Sequence, residues 1–136
     1  MKKILVADDE IALRFLLRET LADEGYKVTE AQDGREAMNR LGEDSFDAII
    51  LDYMMPEHTG VEVCEWLRTT SNKNHNTPII LLTAKTQHKD REKASQVGVT
   101  IYMIKPFSPL QLLDVLEDML LNHASNPMQN DRQGDE

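Results

Sequence analysis

Short apolar runs alternate with longer amphipathic segments along most of the 136-residue chain. Runs of four or five residues that are rich in Ile, Leu and Val are typical of strands buried on both faces of a parallel sheet. The pattern predicts four such strands, at residues 3–7, 47–51, 78–82 and 100–104, and a further short strand at 27–30.

The segments between these runs have apolar residues at helical spacing, which predicts a helix after each strand. Capping residues and glycines mark several of the ends. The predicted helices run over about 10–23, from the cap Asp33 to Gly42, onwards from Gly60, over 87–97, and from Ser108-Pro109 onwards. The polar segment 69–77 is predicted to be a surface loop.

Strict alternation of strand and helix indicates parallel strands joined by right-handed crossovers, with helices on both faces of the sheet. Five such units in about 120 residues predict an α/β, flavodoxin-like, doubly wound sheet with the strand order 2-1-3-4-5. We therefore expect one domain over residues 1–122, followed by a polar tail or linker stub at 123–136.

Each of the four apolar runs is followed by a residue that can bind a metal ion or a phosphoryl group. These residues are Asp8 with Asp9, then Asp52, Thr83 and Lys105. Ligands of such sheets bind beyond the carboxyl ends of the strands, so these side chains should converge on one cleft.

Three carboxylates at close range repel one another, and a bound cation relieves the repulsion. Oxygen ligands of this kind suit Mg²⁺, which is shared with phosphate groups in many sites. By itself the pair Asp8-Asp9 could also be a solvated cap of the first helix. Asp52 and Lys105 at equivalent strand ends make that alternative much weaker.

These strand-end residues belong to four short motifs, each following its own strand. The motifs are Asp8-Asp9-Glu10, Asp52-Tyr53-Met54-Met55-Pro56 with Gly60, Thr83-Ala84, and Lys105-Pro106-Phe107. With all four in this order, the chain over about residues 2–122 resembles the receiver domain of two-component response regulators, the CheY-like family.

The resemblance implies a role for each residue of the acidic cluster. Asp52 would be the phosphoacceptor, a carboxylate nucleophile that forms an acyl phosphate. Asp9 would bind Mg²⁺ directly, and Asp8 would assist, often through water. Asp52 and the backbone carbonyl of Met54 would complete the protein's ligands to the metal.

The resemblance also implies how the phosphorylated state is stabilised and transmitted. Lys105 would bind a phosphoryl oxygen and pair with Asp52 at rest, and a cis bond to Pro106 would help to aim it. Thr83 would donate a hydrogen bond to the phosphoryl group. Inward rotation of Tyr102 would then change the face formed by the fourth helix, the fifth strand and the fifth helix.

The implied partners are a sensor histidine kinase or a histidine phosphotransfer protein as the donor, and a downstream effector protein or covalently linked output domain as the target. The protein would act on itself only, by self-phosphorylation and slow self-dephosphorylation. Met54 and Lys85 stand where family members control the access of water to the phosphoryl group. We expect the apolar Met54 to favour a moderately long-lived phosphorylated form.

Charge, cysteine count and the length of the apolar runs exclude several other functions and locations for the protein. A net charge of -9 argues against direct binding of nucleic acid by this segment. The single cysteine, Cys64, excludes an internal disulfide and a cysteine-rich zinc site, and we expect it to be a small buried residue. The short apolar run near the amino terminus cannot form a signal-peptide core, and no run could span a membrane. The sequence thus predicts a cytoplasmic protein.

Two other functions remain as alternatives. The first is a metal-dependent phosphohydrolase with Asp52 as its nucleophile, although Met54 then stands where a second acid would be expected. The second is a pseudo-receiver that binds partners without being phosphorylated. Proteins of that kind usually lack one or more cleft residues, and none is missing here.

Overall fold

The computed structural model describes residues 1–84 and 91–125, and the side chains up to residue 122. Its five strands all pair in parallel, in the order β2-β1-β3-β4-β5. Their bounds are β1 Lys3–Ala7, β2 Lys27–Ala31, β3 Ala48–Asp52, β4 Ile79–Thr83 and β5 Ile101–Ile104. The predicted flavodoxin-like, doubly wound sheet is confirmed, with each strand within one residue of its predicted ends.

Helices cover both faces of this sheet, as predicted. Their bounds are α1 Ile11–Asp23, α2 Gly34–Glu43, α3 Gly60–Thr69, α4 Arg91–Gln96 and α5 Pro109–Ser125. Side chains of α1 and α5 pack with one set of strand residues, and those of α2, α3 and α4 pack with the other set. The alternation of side chains along each strand supplies both layers, so β1, β3 and β4 are almost wholly buried.

Helix caps set the start of several helices. The Asp33 carboxylate accepts a hydrogen bond from Glu36 N at 2.8 Å, and Ser108 Oγ accepts one from Gln111 N at 3.0 Å, as the sequence predicted. The prediction that Gly42 ends α2 is wrong, because the helix continues to Glu43 and places the glycine in its last turn.

The prediction of a surface loop at 69–77 is only partly right, because Asn74 within it is fully buried. Asn74 Nδ2 donates hydrogen bonds to Leu41 O at 2.7 Å and Asp44 O at 2.8 Å, and its Oδ1 accepts one from Phe46 N at 2.8 Å. The side chain therefore satisfies backbone groups at the end of α2 and just after it, which explains why a polar residue is buried in this loop.

Some predictions lie outside the described residues: the start of the fourth helix at 87–90, Lys85, and the polar segment 126–136. Cys64 is fully buried, as expected. Over residues 1–84 and 91–125, no helix has both the length and the apolar character required to cross a membrane.

Candidate functional site

The acidic residues meet because β1 and β3 are neighbours at the centre of the sheet. Ala7 pairs with Leu51, so Asp8 and Asp52 follow at the same edge. One carboxylate oxygen from each of Asp8, Asp9 and Asp52 lies within 4.8 Å of the other two. We call these three residues the acidic cluster. Asp8 and Asp52 are buried, whereas Asp9 is exposed at the mouth of the cleft.

Lys105 reaches the acidic cluster from the end of β5. Its Nζ lies 2.8 Å from Asp52 Oδ1 and 3.7 Å from Asp8 Oδ2. The peptide bond from Lys105 to Pro106 is cis, as the family resemblance implied, and Lys105 N donates a hydrogen bond to Thr83 O at 2.6 Å. The ends of β4 and β5 are thereby joined directly beside the cluster.

The two carboxylate oxygens of Asp8 differ in their surroundings. Oδ1 accepts a hydrogen bond from Glu10 N at 2.9 Å. Oδ2 is buried, and within the described part of the chain it has no hydrogen-bond partner, because Lys105 is too distant for one. A buried oxygen of this kind among three carboxylates fits a hard cation such as Mg²⁺, which takes oxygen ligands and keeps several waters.

Burial dominates the electrostatics of the two inner carboxylates. The pKa of Asp52 is raised to about 6, mainly by burial; the charges of Asp8 and Asp9 contribute to this shift, and the hydrogen bond and charge of Lys105 oppose it. The pKa of Asp8 is also raised, mainly by burial, while the hydrogen bond from Glu10 N opposes the shift. Desolvation of a carboxylate favours its neutral form, so ionisation of Asp8 and Asp52 costs free energy. Additional positive charge in the cleft would offset this cost.

Lys105 shows the complementary effect. Its burial opposes the positive charge, but the hydrogen bond to Asp52 and the charges of Asp52 and Asp8 outweigh it, so the pKa of the ammonium is raised. Lys105 therefore stays charged at neutral pH. The site joins an ionisable carboxylate to a fixed cation, an arrangement able to hold an anion next to the Asp52 oxygen.

Of the remaining predicted residues, Thr83 and Met54 lie at or just beyond the carboxyl ends of their strands, whereas Tyr102 lies two residues before the end of β5. Thr83 ends β4 and is fully buried, with Oγ1 at a long 3.5 Å from Met103 O. Tyr102 is half-buried in β5, and the Arg91 guanidinium lies 5.5 Å from its ring centroid. Met54 lies in the β3–α3 loop with an exposed side chain.

Sequence reasoning missed two contacts that support the site. Arg14 Nη1 donates to Asp8 O at 2.6 Å, and the same guanidinium pairs with Glu30 on β2. Gly34 at the start of α2 approaches the β3–α3 loop so closely that a Cβ there would lie 2.2 Å from His58 O. The only sequence signals were a basic residue five positions after Asp9 and a glycine after a capping Asp.

Comparison with known proteins agrees with this geometry. Residues 4–117 match the family model described as the response regulator receiver domain. The transcriptional regulatory protein ResD of Bacillus subtilis is 43% identical over 111 residues, which are 82% of this chain and 45% of ResD. Response regulator MprA of Mycolicibacterium vanbaalenii is 42% identical over 118 residues, or 87% of this chain and 50% of MprA. The chain thus spans about half the length of the curated relatives it matches.

Solved structures show the same relationship. The chemotaxis response regulator CheY4 of Vibrio cholerae superposes with a TM-score of 0.81 at 40% identity, covering 87% of this chain and 98% of CheY4. The receiver domain of sensor histidine kinase PA1611 from Pseudomonas aeruginosa, which has a magnesium ion coordinated in its active site cleft, superposes with a TM-score of 0.78 at 30% identity, covering 88% and 97%. On the family match, the sequence identities and the shared fold, the chain belongs to the response regulator receiver domain family of two-component systems.

Proposed function

We propose that Asp52 accepts a phosphoryl group from a phosphohistidine donor and that this modification switches the signalling state of the domain. The observation that carries the proposal is the 2.8 Å contact between Lys105 Nζ and Asp52 Oδ1, at the rim where Asp8 and Asp9 converge. A nucleophile and the positive charge needed to bind a phosphoryl oxygen are thus already side by side.

In the proposed step, an ionised Asp52 oxygen attacks phosphorus, and the bond between phosphorus and the donor's imidazole nitrogen breaks. The nitrogen retains the electron pair, and an acyl phosphate forms on Asp52. Phosphoryl transfer depends mainly on positioning and on neutralising oxygen charge, so the protein has little covalent chemistry to supply. The Lys105 ammonium is already charged, so it can bind a phosphoryl oxygen without gaining or losing a proton.

We assign the metal ligands to the acidic cluster and to the backbone carbonyl of Met54. The buried Asp8 Oδ2, which has no hydrogen bond within the described residues, and the exposed Asp9 support Mg²⁺ as the cation. The PA1611 receiver domain, whose cleft coordinates magnesium, shares the fold at 30% identity. When bound, Mg²⁺ would supply positive charge to the phosphoryl oxygens.

The proposed switch consists of Thr83 and Tyr102. The Thr83 hydroxyl makes a long 3.5 Å contact with Met103 O, so it can exchange that contact for a stronger one to a phosphoryl oxygen. A phosphoryl group that binds one conformation more tightly shifts the population toward it. Rotation of Tyr102 would carry the change to the surface of α4, β5 and α5.

In this proposal the protein lies in the cytoplasm. Its phosphoryl donor is a sensor histidine kinase or a histidine phosphotransfer protein. The receiver would occupy residues 1–122, and residues 123–136 would be a polar tail or linker stub. The target would be a covalently linked output domain or a separate effector protein. The lengths of ResD and MprA, about twice the matched segment, support the linked form. The chain would catalyse only its own phosphorylation and dephosphorylation.

The test is incubation with Mg²⁺ and acetyl phosphate, followed by intact mass measurement. The wild-type chain should gain the mass of one phosphoryl group, and the gain should disappear when Mg²⁺ is chelated. Asp52→Asn should gain none, whereas Asp23→Asn, at the opposite end of α1, should behave as wild type. The proposal would be overturned if Asp52→Asn were phosphorylated to the wild-type level, or if the wild-type chain gained no phosphoryl group.

A further inference from the structure

Arg14 makes a bridge between the acidic cluster and the neighbouring strand. Its Nη1 donates a hydrogen bond to Asp8 O at 2.6 Å, and its Nε donates one to Glu30 Oε1 at 2.9 Å. The Arg14 side chain is only 15% exposed, so this guanidinium is largely removed from solvent. The planar fork of an arginine can hold two acceptors at fixed relative positions, which a lysine cannot do.

The carbonyl that Arg14 contacts has a particular place in the cluster. It belongs to the planar peptide unit that joins Asp8 to Asp9, so fixing this oxygen fixes the plane from which Asp9 departs. The other groups of Asp8 are also bonded: its N donates to Ala31 O at 3.1 Å, and its Oδ1 accepts from Glu10 N. With these contacts made, Asp8 Oδ2 is left to face the cleft.

We propose that Arg14 is a positioning residue for the acidic cluster and that Glu30 holds Arg14 in place. Arg14 would orient the Asp8-Asp9 peptide so that both carboxylates converge on a divalent cation. This inference rests on the proposed Mg²⁺ site. Residues that orient the ligands of a metal typically change its affinity by about 10- to 100-fold when they are replaced.

Charge and positioning predict opposite results for the loss of Arg14. Arg14 is a cation close to an acidic metal site, so its removal should strengthen Mg²⁺ binding if long-range electrostatics dominate. If Arg14 acts through the Asp8-Asp9 peptide, its removal should weaken binding. The direction of the change therefore separates the two effects.

Arg18 offers a matched control. Its Nε lies 3.4 Å from Glu30 Oε2, so Arg14 and Arg18 share the same anionic partner. Arg18 lies one helical turn farther than Arg14 from Asp8 and Asp9, and its side chain is 41% exposed. Arg18→Gln removes the same charge as Arg14→Gln and leaves the contact with Asp8 O in place.

The experiment measures Mg²⁺ affinity by isothermal titration calorimetry of the unphosphorylated full chain. We expect Arg14→Gln to lower the affinity at least tenfold, Glu30→Gln about threefold, and Arg18→Gln to leave it unchanged or slightly raised. Without metal, amide exchange at Glu10 N should accelerate several-fold in Arg14→Gln and not in Arg18→Gln, because the Asp8 turn loosens. If the glutamine variant does not fold, Arg14→Lys, which keeps the charge, replaces it in the experiment. Its Mg²⁺ affinity should still be at least threefold lower than that of the wild type.

The outcomes distinguish this inference from the proposed function. If the wild type binds no Mg²⁺, the proposed metal site fails, and the inference fails with it. If the wild type binds Mg²⁺ and the folded Arg14 variants bind equally well or more tightly, the inference alone is overturned. Equal losses in Arg14→Gln and Arg18→Gln would also overturn it, since they would show an effect of the shared ion pair.

Discussion

Lys105 and Asp52, which are 53 positions apart, form a 2.8 Å ion pair at the rim of the cleft. The same ammonium lies 3.7 Å from Asp8 Oδ2, so one cation faces two buried carboxylates. This imbalance makes the site sensitive to pH, to metal ions and to neutralisation of either acid.

The raised pKa of Asp52, about 6, predicts a pH-dependent effect of Asp52→Asn on stability. Because the pKa is higher in the folded than in the unfolded state, ionisation of Asp52 opposes folding, and the stability of the protonated form is lost as pH rises from about 4 through 6. In Mg²⁺-free buffer at pH 7.5, we expect the free energy of unfolding of the variant to be higher than that of the wild type by on the order of 1 kcal/mol. The gain from removing the buried charge is partly offset, because Asn also removes the ion-pair partner of Lys105.

Urea denaturation of both proteins between pH 3.5 and 8 measures this difference. It should be smallest near pH 4, grow as pH rises through 6, and level off above about 7. A difference that is constant across this range, or largest at low pH, would contradict the raised pKa. Asp23→Asn at an exposed position should show no comparable growth.

Binding of Mg²⁺ should stabilise the wild-type fold through the acidic cluster. At a metal concentration ten times the dissociation constant, the expected gain in the free energy of unfolding is about 1.4 kcal/mol. Asp9→Asn should remove most of this gain, because Asp9 is a proposed ligand, and should leave the metal-free fold intact because the residue is exposed. Thermal unfolding with and without Mg²⁺ makes the measurement, and an undiminished gain in Asp9→Asn would exclude that ligand.

Two glycines of α2 should respond oppositely to alanine. A Cβ at Gly34 would lie 2.2 Å from His58 O, so the β3–α3 loop must shift, at a cost of about 1–3 kcal/mol. Among the described residues, a Cβ at Gly42 would meet no atom within 4 Å beyond its chain neighbours and the backbone of its own helix. Alanine at that position should therefore stabilise the helix by up to about 0.5–1 kcal/mol.

The same pair of variants also tests the connection to the metal site. Because the shifted loop carries Met54, Gly34→Ala should weaken Mg²⁺ binding, whereas Gly42→Ala should leave it unchanged. Chemical denaturation and calorimetry of both variants provide the measurements. Similar behaviour of the two variants would refute the close approach of Gly34 to the loop.

Replacement of Asn74 should affect stability without affecting the site. Asn74→Ala leaves the Leu41 and Asp44 carbonyls and the Phe46 amide without their buried partner, which should cost about 2–3 kcal/mol. The exposed neighbour Asn76 should tolerate alanine within about 0.5 kcal/mol. Urea denaturation measures the two changes, and phosphorylation by acetyl phosphate should remain at the wild-type level in both folded variants. A loss of phosphorylation in folded Asn74→Ala would place this residue in the site instead.

The sequence determined the order of elements and the edge at which the chemistry would lie. Apolar runs that are long enough for a strand and too short for a membrane span admit few arrangements once helices alternate with them. Parallel strands bring their carboxyl ends to one side, so Asp8, Asp52 and Lys105 could be assigned to one cleft from the order of the chain.

The tertiary structure alone decided which residues support that cleft and the fold around it. Arg14 meets Glu30, Gly34 meets His58, and Asn74 meets the end of α2, all across separations that no local periodicity encodes. These contacts depend on how closely two packed elements approach and on which backbone groups remain without partners after packing. Hydrophobic pattern and strand order therefore locate the site, whereas distances set by packing determine how its acids are oriented.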